Sequence, residues 1–262
     1  MAKSVVIVVG ASSGMGAEFA LQLDAHLRKT DEIWLIARNK EKLEELSRKM
    51  RNNTRILAMD ITKEAQIERL QDTLIDNDCV IRMLVNCAGY GVIGDFSALT
   101  CEDQLGMVRL NCEALTHVTH SCIPFMRKNS RIIQLASCAA FLPQPGFAVY
   151  AATKAYVNSF SQALREELKT KGIYVTSVCP GPVDTPFFDR AEKTGNVLAI
   201  KKATMVDSKS VVRKALRDAC DKKATSVYSL PIQAVWVLTK LVPHGIVLPL
   251  VRAYKDNQTQ DK

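Results

Sequence analysis

Six short apolar runs, separated by stretches of helical spacing, constrain this chain more than any other feature of its sequence. Val5–Val9, Ile33–Ala37, Ile56–Met59, Met83–Ala88, Ile132–Ala136 and Tyr174–Cys179 are nearly continuous in apolar, often β-branched residues. Strands that read this way are buried on both faces, as in a parallel sheet covered by helices; a strand with one wet face would alternate. Between them, Met15, Phe19, Leu23 and Leu27 recur at every fourth position. Leu43, Leu46 and Met50, like Ile67, Leu70 and Leu74, recur at three and four. The alternation predicts a doubly wound α/β sheet with helices on both faces. No internal repeat or linker interrupts the pattern, so residues 1–262 read as one domain, long enough to bury a sizeable core.

Composition excludes other classes. The chain carries 35 Lys plus Arg against 27 Asp plus Glu, a net +8. The excess gathers at 28–55, with nine basic and five acidic residues, and at 201–223, with eight and three. Neither segment interleaves aromatics with its cations, and no nucleic-acid recognition element is present. Solvated helix faces, or attraction of an anionic small molecule, account better for the charge. Eight cysteines lack any C-x-x-C pair or zinc spacing with the four histidines. Scattered cysteines of this kind act as small hydrophobes in a reducing compartment, so a cytoplasmic location and no metal site are expected. Only five apolar residues separate Ser4 from Gly10, too few for a signal peptide. Val227–Val251 is strongly apolar, but Lys240 interrupts it and Pro231, Pro243 and Pro249 punctuate it, so no transmembrane helix is expected. Pro231 is placed to open a short helix whose face of Ile232, Val235, Trp236 and Thr239 suits core, subunit contact or a peripheral membrane surface.

Two features point to a dinucleotide. Gly10-Ala11-Ser12-Ser13-Gly14-Met15-Gly16 joins the first strand to the first helical pattern. Glycines there let the backbone approach a pyrophosphate, and the helix offers free N–H groups and a positive dipole end. The second strand ends Leu35-Ile36-Ala37-Arg38-Asn39, with no acid to accept from an adenosine ribose. Arg38 is either a solvated residue before a helix or a fork for a ribose 2′-phosphate, and its position favours the second.

Tyr150 and Lys154 stand at i and i+4 on a predicted helix and share a face. An ammonium beside a phenol favours the phenolate, so the pair is expected to bring the tyrosine's pKa toward working pH for proton exchange with an alcohol or carbonyl. Ser137 ends the preceding strand, where its hydroxyl faces the ligand crevice and can bond a developing oxyanion.

Taken together, Gly10–Gly16, Asn86-Cys87-Ala88-Gly89, Asn111, Ser137, Tyr150, Lys154 and Pro180-Gly181-Pro182-Val183-Asp184-Thr185 resemble the short-chain dehydrogenase/reductase family over residues 3 to about 190. The resemblance implies a Rossmann fold of about seven strands in the order 3-2-1-4-5-6-7, a nicotinamide cofactor and a homodimer or homotetramer built on the helices of Asn111 and Tyr150. It implies Tyr150 as general acid/base and Lys154 as the residue that holds the nicotinamide ribose and lowers the tyrosine pKa. Ser137 would position the substrate oxygen, and Asn111 would bind a water connecting Lys154 to solvent. Gly10, Ser12, Ser13, Gly14, Met15 and Gly16 would cradle the cofactor, with Arg38 at its 2′-phosphate. Asp60 and Ile61 would flank the adenine; Asn86, Ala88 and Gly89 would line its middle. Pro180, Gly181, Val183 and Thr185 would cover the nicotinamide. Val9 and Cys87 depart from the family's usual threonine and asparagine at strand-bracing positions. Tyr90–Phe96 and Leu241-Val242-Pro243-His244 more loosely resemble the branch with surface-polymer-associated dehydrogenases and 3-ketoacyl-CoA and steroid reductases. An NADP(H)-dependent oxidoreductase acting on a lipophilic alcohol or ketone is therefore expected, with 187–206 as substrate loop and Phe141, Leu142, Phe187 and Phe188 as pocket wall. The competing expectation is a catalytically silent, cofactor-sensing protein on the same fold.

Overall fold

Seven strands pair in parallel in the computed structural model, which describes residues 3–27, 32–195, 205–242, 245, 246 and 249. They are β1 (Lys3–Val9), β2 (Glu32–Ala37), β3 (Thr54–Ala58), β4 (Cys79–Asn86), β5 (Met126–Leu135), β6 (Tyr174–Val178) and β7 (Thr225–Ser226), in the order β3-β2-β1-β4-β5-β6-β7. This is the doubly wound Rossmann arrangement that the alternation predicts. β1 shows why its residues are apolar without interruption. Val5, Ile7 and Val9 join a core with Ile67, Leu70 and Leu74 of α3 (Glu64–Asp76), Val118 of α5 (Leu115–Cys122) and Leu164 of α6 (Ala148–Leu168). Val6 and Val8 face the opposite way, onto Phe19 and Leu23 of α1 (Gly14–His26), Leu43 and Leu46 of α2 (Lys40–Ser47) and Val212 of α8 (Ser208–Cys220). Both faces are covered, so neither set tolerates charge.

Several boundaries differ from the sequence pattern. β4 begins at Cys79 and ends at Asn86, and β5 begins at Met126, although Arg82 and the polar run Arg127–Arg131 break the apolar pattern. Arg82 and Arg127–Ser130 fall in the register break between the Ile81–Met126 and Met83–Arg131 pairs, where the bulged backbone leaves the ladder and the apolar pattern has no reason to continue. β7 has two polar residues and no apolar signal; it is defined by its pairing with Ser177 and Val178. Between α4 (Cys101–Val108) and α5 the chain makes a π-helical turn over Arg109–Ala114, which no periodicity announces. After the short α7 (Phe187–Ala191), Val206 returns to pair with Val183, and Asp184 N donates to Val206 O at 2.9 Å, so the predicted substrate loop is anchored at its far end. Its residues 196–204 lie outside the described ones, as do Pro243 and His244. The helix predicted at Pro231 is α9 (Leu230–Leu241), with Pro231 as its second residue rather than its first. No helix among the described residues is long and apolar enough to cross a membrane.

Candidate active site

Strand order reverses between β1 and β4, and the loops after these strands part to form a cleft of about 2240 Å³. The two loops touch. Gly10 adopts φ +81°, and a side chain there would place its Cβ 2.6 Å from the Ala88 amide nitrogen. A Cβ on Gly16 would run into the Gly10 carbonyl oxygen. Glycine at both positions is thus a steric requirement of the turn that brings the α1 N-terminus to the cleft. Ser13 is the N-cap of α1, yet its side chain makes no capping bond, and the first turn holds no acidic residue. The open donors and positive helix end suit an anion, so the residues present fit a dinucleotide pyrophosphate. Ser12, Gly14, Met15, Arg38, Asp60, Ile61, Ala88, Gly89, Pro180, Gly181, Val183 and Thr185 also line the cleft. Burial raises the Asp60 carboxyl, but hydrogen bonds accepted by Oδ1 from Thr62 Oγ1 at 2.7 Å and Thr62 N at 3.0 Å, with a smaller contribution from Arg38 exposed at the rim, hold it below its ordinary value.

The basic segment 28–55 contributes less to the cleft than its net charge suggests. Arg51 pairs with Asp24 at 3.7 Å, Lys40 with Glu44 at 3.6 Å, and Arg55 pairs with Glu32 at 3.6 Å and covers the Trp34 ring. Among its cations, Arg38 and Lys42 line the cleft.

Ser137, Tyr150 and Lys154 line the same cleft and are all buried. Ser137 follows β5, where its Oγ accepts from Ala139 N at 3.1 Å, and it hydrogen-bonds the Tyr150 side chain. Lys154, one turn of α6 beyond Tyr150, donates from Nζ to Leu135 O at 2.7 Å and stands 5.7 Å from the Tyr150 ring centroid. The tyrosine ring lies between aromatic neighbours: Phe147 stacks on it at 4.2 Å and 19°, and Phe187 tilts against it at 5.5 Å. Phe147 escapes a reading by motif, but it stands at i−3 from Tyr150, the spacing that puts two side chains on one helix face.

The protein does not lower the tyrosine pKa as the Tyr-Lys spacing suggests. Burial pushes the Tyr150 phenol up, and the Ser137 hydrogen bond only partly opposes this. Burial also lowers the Lys154 amine to about 8, with the neighbouring Cys87, Cys112 and Cys179 acting against the shift. The site therefore holds a neutral phenol, suited to proton donation, beside an amine still mainly cationic at neutral pH. The cost of that arrangement is testable. The folded pKa of Lys154 lies below the ordinary 10.5, so the folded chain sheds its proton first and this group's contribution to stability rises with pH from about 8 to 10.5. Below that window the buried ammonium destabilises the fold. Lys154→Met is expected to abolish turnover yet stabilise the protein at pH 7 by on the order of 2 kcal/mol after the lost hydrogen bond is counted. Thermal melts across pH check this: the variant's advantage should shrink toward pH 10, and a less stable variant at pH 7 would refute it.

Two expected residues, Asn86 and Phe141, stand elsewhere, and Asn111 lies just behind the cleft surface. Asn86 is buried behind the cleft wall, where Nδ2 donates to Thr119 Oγ1 and Gln134 Oε1, both at 3.0 Å; it ties β4 to β5 and α5 rather than lining the cofactor's middle. Asn111, in the π-helical turn, lies behind the cleft surface but beside Lys154, its Oδ1 and the Lys154 Nζ both facing Gly89. Its Oδ1 accepts from Tyr90 N at 3.0 Å, and Nδ2 donates to Tyr90 O at 2.9 Å and Thr153 Oγ1 at 3.0 Å. Thr153 Oγ1 in turn donates to Tyr150 O at 2.8 Å, so Asn111 fastens the loop after β4 to the helix of the tyrosine. Phe141 packs on Trp236 at 6.1 Å in the core, whereas Leu142, Phe147, Phe187 and Phe188 line the cleft.

The comparisons agree with this geometry. A family model for the short chain dehydrogenases matches residues 4–196. The chain is 33% identical over 186 residues to an uncharacterized oxidoreductase of Staphylococcus epidermidis, covering 70% of this chain and 80% of that one. It is 35% identical over 188 residues to the serine 3-dehydrogenase of Agrobacterium fabrum, covering 70% and 73%. A short-chain dehydrogenase from Sphingobium yanoikuyae, solved in complex with NADPH, superposes with a TM-score of 0.76 at 27% identity, over 93% of this chain and 95% of that one. With the phosphate turn, the buried tyrosine and lysine and the parallel sheet in place, the chain belongs to the short-chain dehydrogenase family of oxidoreductases.

Proposed function

We propose that the protein is an NADP(H)-dependent oxidoreductase that interconverts a secondary alcohol and a ketone on a lipophilic substrate such as a steroid, a bile acid or a 3-ketoacyl thioester. The observation that carries this reading is the convergence of Ser137, Tyr150 and Lys154 on one cleft whose substrate end is walled by Ile93, Leu142, Phe147, Phe187 and Phe188. When bound, the nicotinamide supplies or accepts the hydride. The chain's own residues handle the proton. In the reducing direction Ser137 Oγ donates to the carbonyl oxygen and Tyr150 Oη gives up its proton as negative charge develops there. Lys154, with Nζ 5.7 Å from the ring centroid and donating to Leu135 O, sets a positive charge near the resulting phenolate, while burial still favours the neutral phenol. In the oxidising direction the same phenolate takes the alcohol proton.

The aromatic wall supports an apolar substrate, because each CH₂ buried there adds about 0.8 kcal/mol. Activity is expected to climb with ring or chain size across a panel of steroid, bile-acid, 3-ketoacyl and small ketone substrates, followed by nicotinamide absorbance. Equal activity toward a three-carbon sugar ketone and a steroid would sink the lipophilic reading. Exposed Leu105 and Val108 of α4, with Tyr156 of α6, support a homodimer or homotetramer through these helices, and the eight unpaired cysteines fit a reducing, cytoplasmic compartment.

A further inference from the structure

We infer that α9 docks on an anionic lipid surface and brings the mouth of the cleft to a membrane. The helix is apolar nearly all round: of its twelve residues, Leu230–Leu241, Gln233, Thr239 and Lys240 alone are polar. A helix of that composition is normally covered on every side. Here one side is covered. Ile232 is 2% exposed and lies against Gly181, and Trp236 packs on Phe141. Opposite them, Leu230 is 79% exposed, Leu241 76%, Leu238 52% and Val237 51%, a contiguous apolar surface in water.

Length and charge identify the occupant. Twelve residues span about 18 Å, well short of the roughly 30 Å hydrocarbon layer, so the helix lies in an interface and does not cross it. Lys240 is its one charged residue, with Nζ 4.4 Å over the Trp236 ring. Exposed Lys240 can lay its stem along the half-buried Trp236 ring and carry its ammonium to the phosphates at the edge of the apolar face. From Lys222 to Lys255 the sequence holds five basic residues and no acidic one, so nothing in this segment repels an anionic bilayer. A second copy of the helix would offer Lys240 no acidic partner, since the helix holds none. Val235, Leu238 and Thr239 also line the cleft, so docking would open it toward the lipid. The inference concerns surface binding alone and holds whatever the substrate proves to be.

The test is cosedimentation of the full-length protein with phosphatidylcholine vesicles, with and without phosphatidylglycerol. The protein should sediment with the anionic vesicles, less with the neutral ones, and less at high salt. Leu241→Glu and Val237→Glu, whose side chains are exposed and do not line the cleft, should each weaken binding about tenfold. Lys240→Glu should weaken it for anionic vesicles only. All three should keep wild-type circular dichroism. Failure to sediment, or binding unchanged in both Glu variants at apolar positions, overturns the inference. So does a concentration-dependent dimer broken by Leu241→Glu without vesicle binding, which would give the face to a second copy.

Discussion

Tyr150→Phe is expected to lower turnover by about 10²–10⁴-fold, the usual worth of a general acid, while cofactor affinity stays near wild type. The substitution removes one hydroxyl. The ring keeps its stack on Phe147 at 4.2 Å and its contact with Phe187 at 5.5 Å, so the cleft should not rearrange. What is lost is the proton and the hydrogen bond with Ser137. The nearby amine, Lys154, is turned to Leu135 O and does not take the phenol's place. Steady-state turnover together with a fluorescence titration of cofactor separates the two effects. A variant with near-wild-type turnover would remove Tyr150 from the chemistry.

Arg38→Asp is expected to reverse cofactor preference. The wild type should favour NADPH over NADH by roughly 10- to 100-fold, the worth of one or two charge-assisted hydrogen bonds to the 2′-phosphate. Arg38 stands at the exposed rim, one residue past β2, and its neighbour Asn39 is already engaged as the cap of α2, accepting from Lys42 N at 2.7 Å. An aspartate at 38 supplies an acceptor for the ribose hydroxyls of NADH and repels the extra phosphate of NADPH, so both cofactors respond in opposite directions. Separate titrations of NADPH and NADH against wild type and variant decide it. Equal affinities in the wild type would leave Arg38 a solvated surface residue.

Legibility of the site followed the kind of constraint each residue obeys. Gly10 and Gly16 were readable because the absence of a side chain is itself the requirement: any Cβ there meets the backbone. Tyr150 and Lys154 were readable because i and i+4 on a helix share a face in any context. Asn86 was misplaced because a motif position does not say which way a side chain turns; at the end of β4 its amide turns toward Thr119 and Gln134. Phe141 and Phe147 carry the same chemistry within six positions of one another, yet the first is core and the second stacks on the tyrosine. Nothing local distinguishes them.

The sequence by itself determined the α/β alternation, the parallel sheet, the phosphate turn and the chemical identity of the groups in the cleft. These depend on periodicity, on glycine and on functional groups, which are properties of short stretches of chain. Only the tertiary structure decided how those groups are tuned. The phenol of Tyr150 rises and the amine of Lys154 falls to about 8 because segments far apart in sequence, carrying Cys87, Cys112, Ser137 and Cys179, close around them and exclude water. Likewise, among the described cations of 28–55, Lys40, Arg51 and Arg55 are engaged by Glu44, Asp24 and Glu32, while Arg38 and Lys42 line the cleft. Desolvation and ion pairing are sums over neighbours in space, and those neighbours exist only once the chain has folded.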